Sequence, residues 1–244
     1  WRATFVGIAI LTAAAAGLVA WRLRDPVRVE GAPGDGGLLE GLWRILSIRA
    51  LLPFLPLTLF SYSVLLAERG LWVGPFFAEV HHLEPVARGN AVMVLAAAMS
   101  VGALAYGPSD RLGLPRKWVV LAGTMATGVL FLLLSAFGAV SLWTAVALLA
   151  LAGAAGMTYV QLITHARQLF PEALLGRGIT FMNLLYFGGA GLLQPLSGLW
   201  AEHMRSLGLP PATVFASLHA WFGALLLVSG CIYILAQSHP KPSR

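Results

Sequence analysis

Charge is the scarcest property of this sequence. Asp, Glu, Lys and Arg make up 11% of its 244 residues, about half the share of a soluble globular domain. So few charges cannot cover a water-facing surface of this size, which excludes a soluble domain. There is one cysteine, Cys231, which excludes an internal disulfide and any cysteine metal cluster. It lies in an apolar run and reads as a small packing residue. Lysine is almost missing: two lysines stand against fourteen arginines, which hints at a GC-rich genome and carries no mechanism. No H-E-x-x-H, G-x-S-x-G or P-loop pattern occurs, and Ser197-Gly198 is no nucleophile elbow. No catalytic constellation, and hence no enzyme and no cofactor, is expected. The pI of 10.1 does not point to nucleic acid, because the basic residues sit between apolar runs and form no continuous patch. His81, His82 and Glu84 lie close together, but adjacent histidines in a short loop do not match metal-ligand spacing. No metal site is expected.

What the chain has in abundance is apolar length. Hydrophobic residues make up 58% and mean hydropathy is +0.80. Seven runs, at 3–21, 50–80, 86–106, 117–137, 142–165, 178–202 and 213–236, are each long enough to cross a bilayer as a helix. The expected fold is all-α, a polytopic transmembrane helix bundle. The first run is no signal peptide: it is long enough to span, and its basic flank (Arg22, Arg24, Arg28) follows the apolar run. The domains expected are a helix at 1–21, a loop at 22–48, a helix bundle at 49–237 and a tail at 238–244. The loop is polar, with Gly and Pro clustered at 31–37. At its end Leu39, Leu42, Trp43 and Leu46 group on one side of a short helix suited to a membrane surface. The first residue is Trp1, so the sequence reads as a piece of something longer.

Basic residues set an orientation. Twelve fall in the segment through Arg49, the loops around 106–117 and 165–178, and the tail; three, Arg2, Arg88 and Arg205, fall on the other side. The positive-inside rule puts the first set in the cytoplasm. The chain then starts outside and ends in the cytoplasm.

One basic residue lies in neither set. Arg69, with Glu68, sits well inside the run at 50–80. With that run centred near Val64, Glu68 is about 6 Å from the midplane. A charge at that depth costs several kcal/mol unless it is paired or meets water. Ser61, Leu65, Glu68, Trp72 and Glu79 share one helical face; Tyr62, Arg69 and Phe76 share the next. Sequence neighbours do not face each other on a helix, so Glu68 and Arg69 are expected to find separate partners. Gly70 and Pro75 are candidate break points. Polar faces also occur on two later spans: Thr158, Gln161 and His165 on the fifth, Asn183, Tyr186, Ala190 and Gln194 on the sixth. The third span is rich in small residues that favour close helix approach. The fourth and seventh are plainer, although the seventh holds His219.

At the segment YGPSDRLGLPRKWVV the sequence resembles a known family. It is similar to the cytoplasmic signature G-x-x-x-D-R-x-G-R-K of the major facilitator superfamily, matched by Gly107, Asp110, Arg111, Gly113, Arg116 and Lys117. The spacing departs: one residue fewer separates Gly107 from Asp110, and Leu114 and Pro115 are inserted before Arg116. ARQLFPEALLGRGITFMNLLYFGGAGLLQPLSG resembles a loop and helix near the C-terminal end of bacterial members, and GLWVGPFFAEV resembles their seventh helix. The resemblance covers essentially the whole chain, as helices six to twelve of twelve. It implies half of that fold plus one preceding helix, with the first five helices, or a partner bundle, supplied from elsewhere. It also implies a bacterial inner membrane.

The resemblance implies a secondary active transporter of a small solute, working by alternating access and coupled to an ion or proton. Helices seven, eight, ten and eleven of the family line its cavity. That makes Ser61, Tyr62, Glu68, Arg69, Trp72, Thr158, Gln161, Asn183, Tyr186 and Gln194 the cavity candidates. Arg69 is placed to hold an anionic group or gate the cavity, Glu68 to carry a coupling proton, Trp72 and Tyr186 to form aromatic walls. The signature residues would latch one conformation, with Arg111, Arg116 and Lys117 pairing with Asp110. The partners implied are a small-molecule substrate and the lipid bilayer. The rival is a non-transporting scaffold or assembly factor on the same fold.

Overall fold

The computed structural model describes residues 2–22, 37–110 and 112–237, without the side chains of Leu38, Leu39 and Asp110. Arg111, the loop at 23–36 and the tail at 238–244 lie outside the described residues. The chain divides into two compact units, residues 1–35 and 36–244. In the first, α1 (Arg2–Arg22) is a 21-residue apolar helix with no buried residue. The second contains α2 (Leu38–Leu46), α3 (Phe54–Ala67), α4 (Val73–Glu79), α5 (Pro85–Tyr106), α6 (Arg116–Phe137), α7 (Leu142–Ala155), α8 (Tyr159–Arg167), α9 (Leu175–Ser206) and α10 (Pro211–Tyr233). The described residues form no strand. Proline opens α5 and α10, where a missing N–H costs nothing. The Ser141 side chain caps α7 by accepting from the Thr144 N–H.

Six helical stretches are long and apolar enough to cross a membrane: Arg2–Arg22, Arg49–Glu79, Pro85–Ser109, Arg116–Phe137, Leu142–Arg167 and Pro211–Tyr233. The seventh run expected from sequence falls on α9. That helix has 32 residues, a length of about 48 Å, but Asn183, Gln194, Pro195 and its glycines leave it less apolar than the other six.

Two spans differ from straight helices. The Arg49–Glu79 span does not break at Gly70 or Pro75. It passes instead through a π-helical turn, Glu68–Trp72, between α3 and α4. Pro75 lacks an N–H and its ring crowds the carbonyl four residues back. That carbonyl belongs to Leu71, inside the wide turn, and the turn relieves the clash. The Leu142–Arg167 span, read from sequence as one helix, breaks at Gly156 between α7 and α8. The break frees backbone carbonyls at depth, where each needs a partner. Tyr106 Oη supplies one, donating to the Ala155 carbonyl at 2.6 Å.

Between lipid-embedded helices burial of apolar area drives little, and close backbone approach does more. α6 crosses α10 at Gly128 and Gly223, where a Cβ on Gly223 would lie 2.8 Å from the Gly128 carbonyl oxygen. α3 meets α9 at Gly189, where a Cβ would collide with the Leu59 carbonyl. Ser63 Oγ locks that crossing by donating to the Tyr186 carbonyl at 2.8 Å. Two aromatic-rich cores fill the bundle, one around Trp72, Phe76, Phe131, Phe215 and Phe222, the other around Phe54, Tyr186 and Tyr233. The π turn adjoins the first of them.

Candidate functional site

The first two residues of the π turn differ sharply in exposure. Glu68 points into the bundle and is 1% exposed; Arg69 is exposed. An i→i+5 turn adds a residue to the helical phase, and such turns concentrate at functional sites. Inside the bundle Glu68 meets His219 of α10, which is 0% exposed, with Nε2 3.4 Å from Oε1. Phe76 stands edge-on to the His219 ring at 5.1 Å, with Phe131 and Phe215 at 6.2 and 6.4 Å. Neither carboxylate oxygen and neither ring nitrogen makes a hydrogen bond among the described residues. Buried polar atoms nearly always have hydrogen bonds, so a carboxylate and an imidazole without them in an aromatic cage are an exception to ordinary packing.

Outside the turn the surroundings are polar and aromatic. Tyr62, half-buried on α3, stacks on half-buried Tyr159 of α8 with centroids 4.7 Å apart. Tyr186 backs both rings edge-on and donates from Oη to the Tyr159 carbonyl at 3.2 Å. Half-buried Gln194 of α9 faces the turn, its Nε2 4.0 Å from where a Cβ on Gly70 would sit. Arg69 has no ion-pair partner among the described residues.

The remaining cavity candidates are spread more widely. Asn183 is exposed on α9 and Ser61 is buried on α3. Trp72 is buried against Phe215 and donates from Nε1 to Ser197 Oγ at 2.8 Å, so it ties α9 to the turn instead of presenting an open aromatic wall. Thr158 is buried at the α7–α8 break. Gln161 lies apart from the turn, donating from Nε2 to the Tyr106 carbonyl and to Ser109 Oγ at 2.8 and 2.9 Å. His219, Tyr159 and Ser197 were not among the site residues read from sequence. His219 stood out there only as a lone titratable group in a plain span. Tyr159 is aimed by the break that sequence periodicity did not show.

Residues 1–195 match the family model of the Major Facilitator Superfamily. The chain belongs to the major facilitator superfamily. No curated protein and no solved structure matches it. It is an integral membrane protein of a family of secondary transporters, generally not enzymes, whose members work in a lipid bilayer on a solute.

In this superfamily member the signature segment is a compact turn. Gly107–Asp110 form a 3₁₀ turn, and Gly113 has φ +65°, a left-handed conformation that costs a side-chain-bearing residue roughly 1–2 kcal/mol. Ser109 Oγ donates to the Tyr106 carbonyl at 2.7 Å and accepts from Gln161, which pins the turn to α8. Lys117 reaches across to α10: its Nζ donates to the Ile234 carbonyl at 2.8 Å, a cation at a helix C-terminus. His165 holds the same end. Its Nε2 lies 3.0 Å from the Gln237 carbonyl and its Nδ1 2.6 Å from Tyr233 Oη. A carbonyl can only accept, so Nε2 carries the hydrogen, and in the neutral ring Nδ1 accepts from Tyr233. Arg116 is half-buried and lines one surface pocket with Arg167 and Glu172. The Asp110 side chain and all of Arg111, the centre of the expected latch, lie outside the described residues.

At the opposite end of the bundle Arg205 holds both carboxylate oxygens of Glu79 at 2.9 and 2.8 Å, largely in the open. His81 Nε2 donates to the Gly138 carbonyl at 2.8 Å. Among the described residues no group of three or more His, Cys, Asp or Glu is placed to hold a metal ion.

Proposed function

We propose that this chain moves a small solute by alternating access, driven by protons, with the Glu68–His219 pair carrying the coupling proton. The observation that supports this is the pair itself: a carboxylate and an imidazole 3.4 Å apart, both fully buried, with no hydrogen bond to hold either in one protonation state. Removing two such groups from water is costly unless they are paired, and here each has the other as its facing partner. The same π turn carries Arg69 on the open side. Occupancy on that side and protonation on this one therefore act on a single turn of backbone. Tyr62, Tyr159 and Gln194 border the open side with Arg69. The solute binds there, between this bundle and a second one, as in transporters built from two related halves. The chain supplies helices six to twelve, and the signature turn at Gly107–Lys117 latches one of the two states.

The test is a solute-evoked proton signal from the complete protein in proteoliposomes, recorded on a solid-supported membrane. The wild-type protein is expected to take up protons with solute. Glu68→Gln is expected to lose the proton signal while still exchanging solute down no gradient. Proton movement of wild-type size in Glu68→Gln, or solute flux in the wild type without protons, overturns the assignment.

A further inference from the structure

We infer that the open side of the π turn binds a planar organic anion, its carboxylate on Arg69 and its flat body against the Tyr62–Tyr159 stack. This rests on the transporter reading above and names the class of solute.

The charge argument comes first. Apart from the first and last turns, Glu68 and Arg69 are the only Asp, Glu, Lys or Arg in the six candidate spans. Glu68 is turned inward onto His219 and cannot serve a ligand outside. The open side therefore carries a single uncompensated cation at mid-span. An exposed guanidinium at that depth costs several kcal/mol against lipid, so it faces water or a ligand. Among the described residues no exposed acid stands at mid-span to balance it: Glu40, Glu84, Glu172 and Glu202 all lie near the ends of helices. A neutral solute leaves this cation unpaired, and a cationic one is repelled. An anion that meets the guanidinium fork with two oxygens satisfies it.

The shape argument is independent. Tyr62 lies seven residues before Arg69, roughly 10 Å along the helix. Its ring stacks on Tyr159 at 30°, and neither ring is fully buried. Tyr186 stands edge-on to both at 6.3 and 6.0 Å and fixes their tilt. The pair is thus an aromatic wall held edge-on by Tyr186, partly open, with Tyr62 seven residues before the guanidinium-bearing Arg69 on the same span. Flat apolar groups gain most on such a wall. Gln194 offers an amide across the turn from Gly70, suited to a second polar group on the ligand.

The experiment titrates the purified, full-length protein with benzoate, benzamide, benzylammonium and acetate, reading melting temperature and tryptophan fluorescence. Benzoate is expected to bind and to raise the melting temperature; benzamide and benzylammonium are expected not to. Acetate, which lacks the ring, is expected to bind at least about tenfold more weakly than benzoate. Arg69→Gln is expected to weaken benzoate by about a hundredfold, and Arg69→Lys to restore part of it. Tyr159→Leu is expected to abolish the preference of benzoate over acetate. Equal binding of benzoate and benzamide, wild-type benzoate affinity in Arg69→Gln, or no benzoate binding at all overturns the inference. Should Arg69→Gln not fold, the ranking of the four ligands on the wild-type protein decides alone. The two readings fail separately. Benzoate binding without proton movement removes the coupling role of Glu68 and keeps this site. A proton signal evoked by another solute, with no benzoate binding, keeps the coupling role and removes this site.

Discussion

Glu68 and His219 are two titratable side chains buried together, with no hydrogen bond to either among the described residues. A buried pair of this kind contributes little net stability, since desolvation offsets the attraction between partners. Removing one partner is different, because it strands the other. His219→Phe is expected to destabilise the protein by on the order of 3 kcal/mol, and adding Glu68→Leu to it to recover most of that loss. Thermal unfolding of the two single variants and the double variant in one detergent measures this as a double-mutant cycle. Additive losses would show that the two side chains are not coupled. Proton coupling is expected to be absent in the double variant even where its stability returns, which separates role from packing.

At the scale of elements, two departures from straight helix build the site. The π turn Glu68–Trp72 shifts the phase of everything after it. Tyr62, Arg69 and Phe76 are spaced at seven residues and read as one face, yet Arg69 is exposed and Phe76 is 2% exposed. The break after Ala155 does the equivalent on the α7–α8 span and delivers Tyr159 to Tyr62. Its freed carbonyl depends on Tyr106. Tyr106→Phe keeps the ring and removes the donor, so an acceptor within the membrane loses its bond at a cost of about 1–3 kcal/mol. The melting temperature of Tyr106→Phe is therefore expected to fall, and the Tyr62–Tyr159 wall to loosen with it. An unchanged melting temperature would mean that the break needs no such support.

At the scale of the molecule, charge is sorted by end. Among the described residues Arg116, Lys117, Arg167 and Arg177 lie by the signature turn, the C-terminus of α8 and the N-terminus of α9, while Glu79 and Arg205 pair at the other end. With twelve basic residues against three, the first end is expected to be cytoplasmic. Alkaline phosphatase fused after Gln237 is expected to be inactive, and the same enzyme fused at His82, in the left-handed loop position at φ 53°, to be active. The reverse pattern would invert the protein and place the signature turn outside.

Much of the fold was legible because apolar length and helical period are local. Six of the seven runs are helices long and apolar enough to span, and the seventh is the helix α9. The family was legible in Gly107, Gly113, Arg116 and Lys117 because a tight turn and a basic edge are also local demands. Glu68 and Arg69 stood out for the same reason: a charge in an apolar run is visible without any structure. Their partners were not visible. His219 lies 151 positions from Glu68 in the numbering, and only the crossing of α10 over the π turn brings them to 3.4 Å. Gln161 and Trp72 were cavity candidates only through the family resemblance; in the structure one bonds the signature turn and the other bonds Ser197. The sequence by itself determined that this is a bundle of membrane helices with two charges where charge is costly. Only the tertiary structure decided which charge is buried and which is open, because that direction depends on a π turn and a helix break imposed by packing, and packing is not periodic in the sequence.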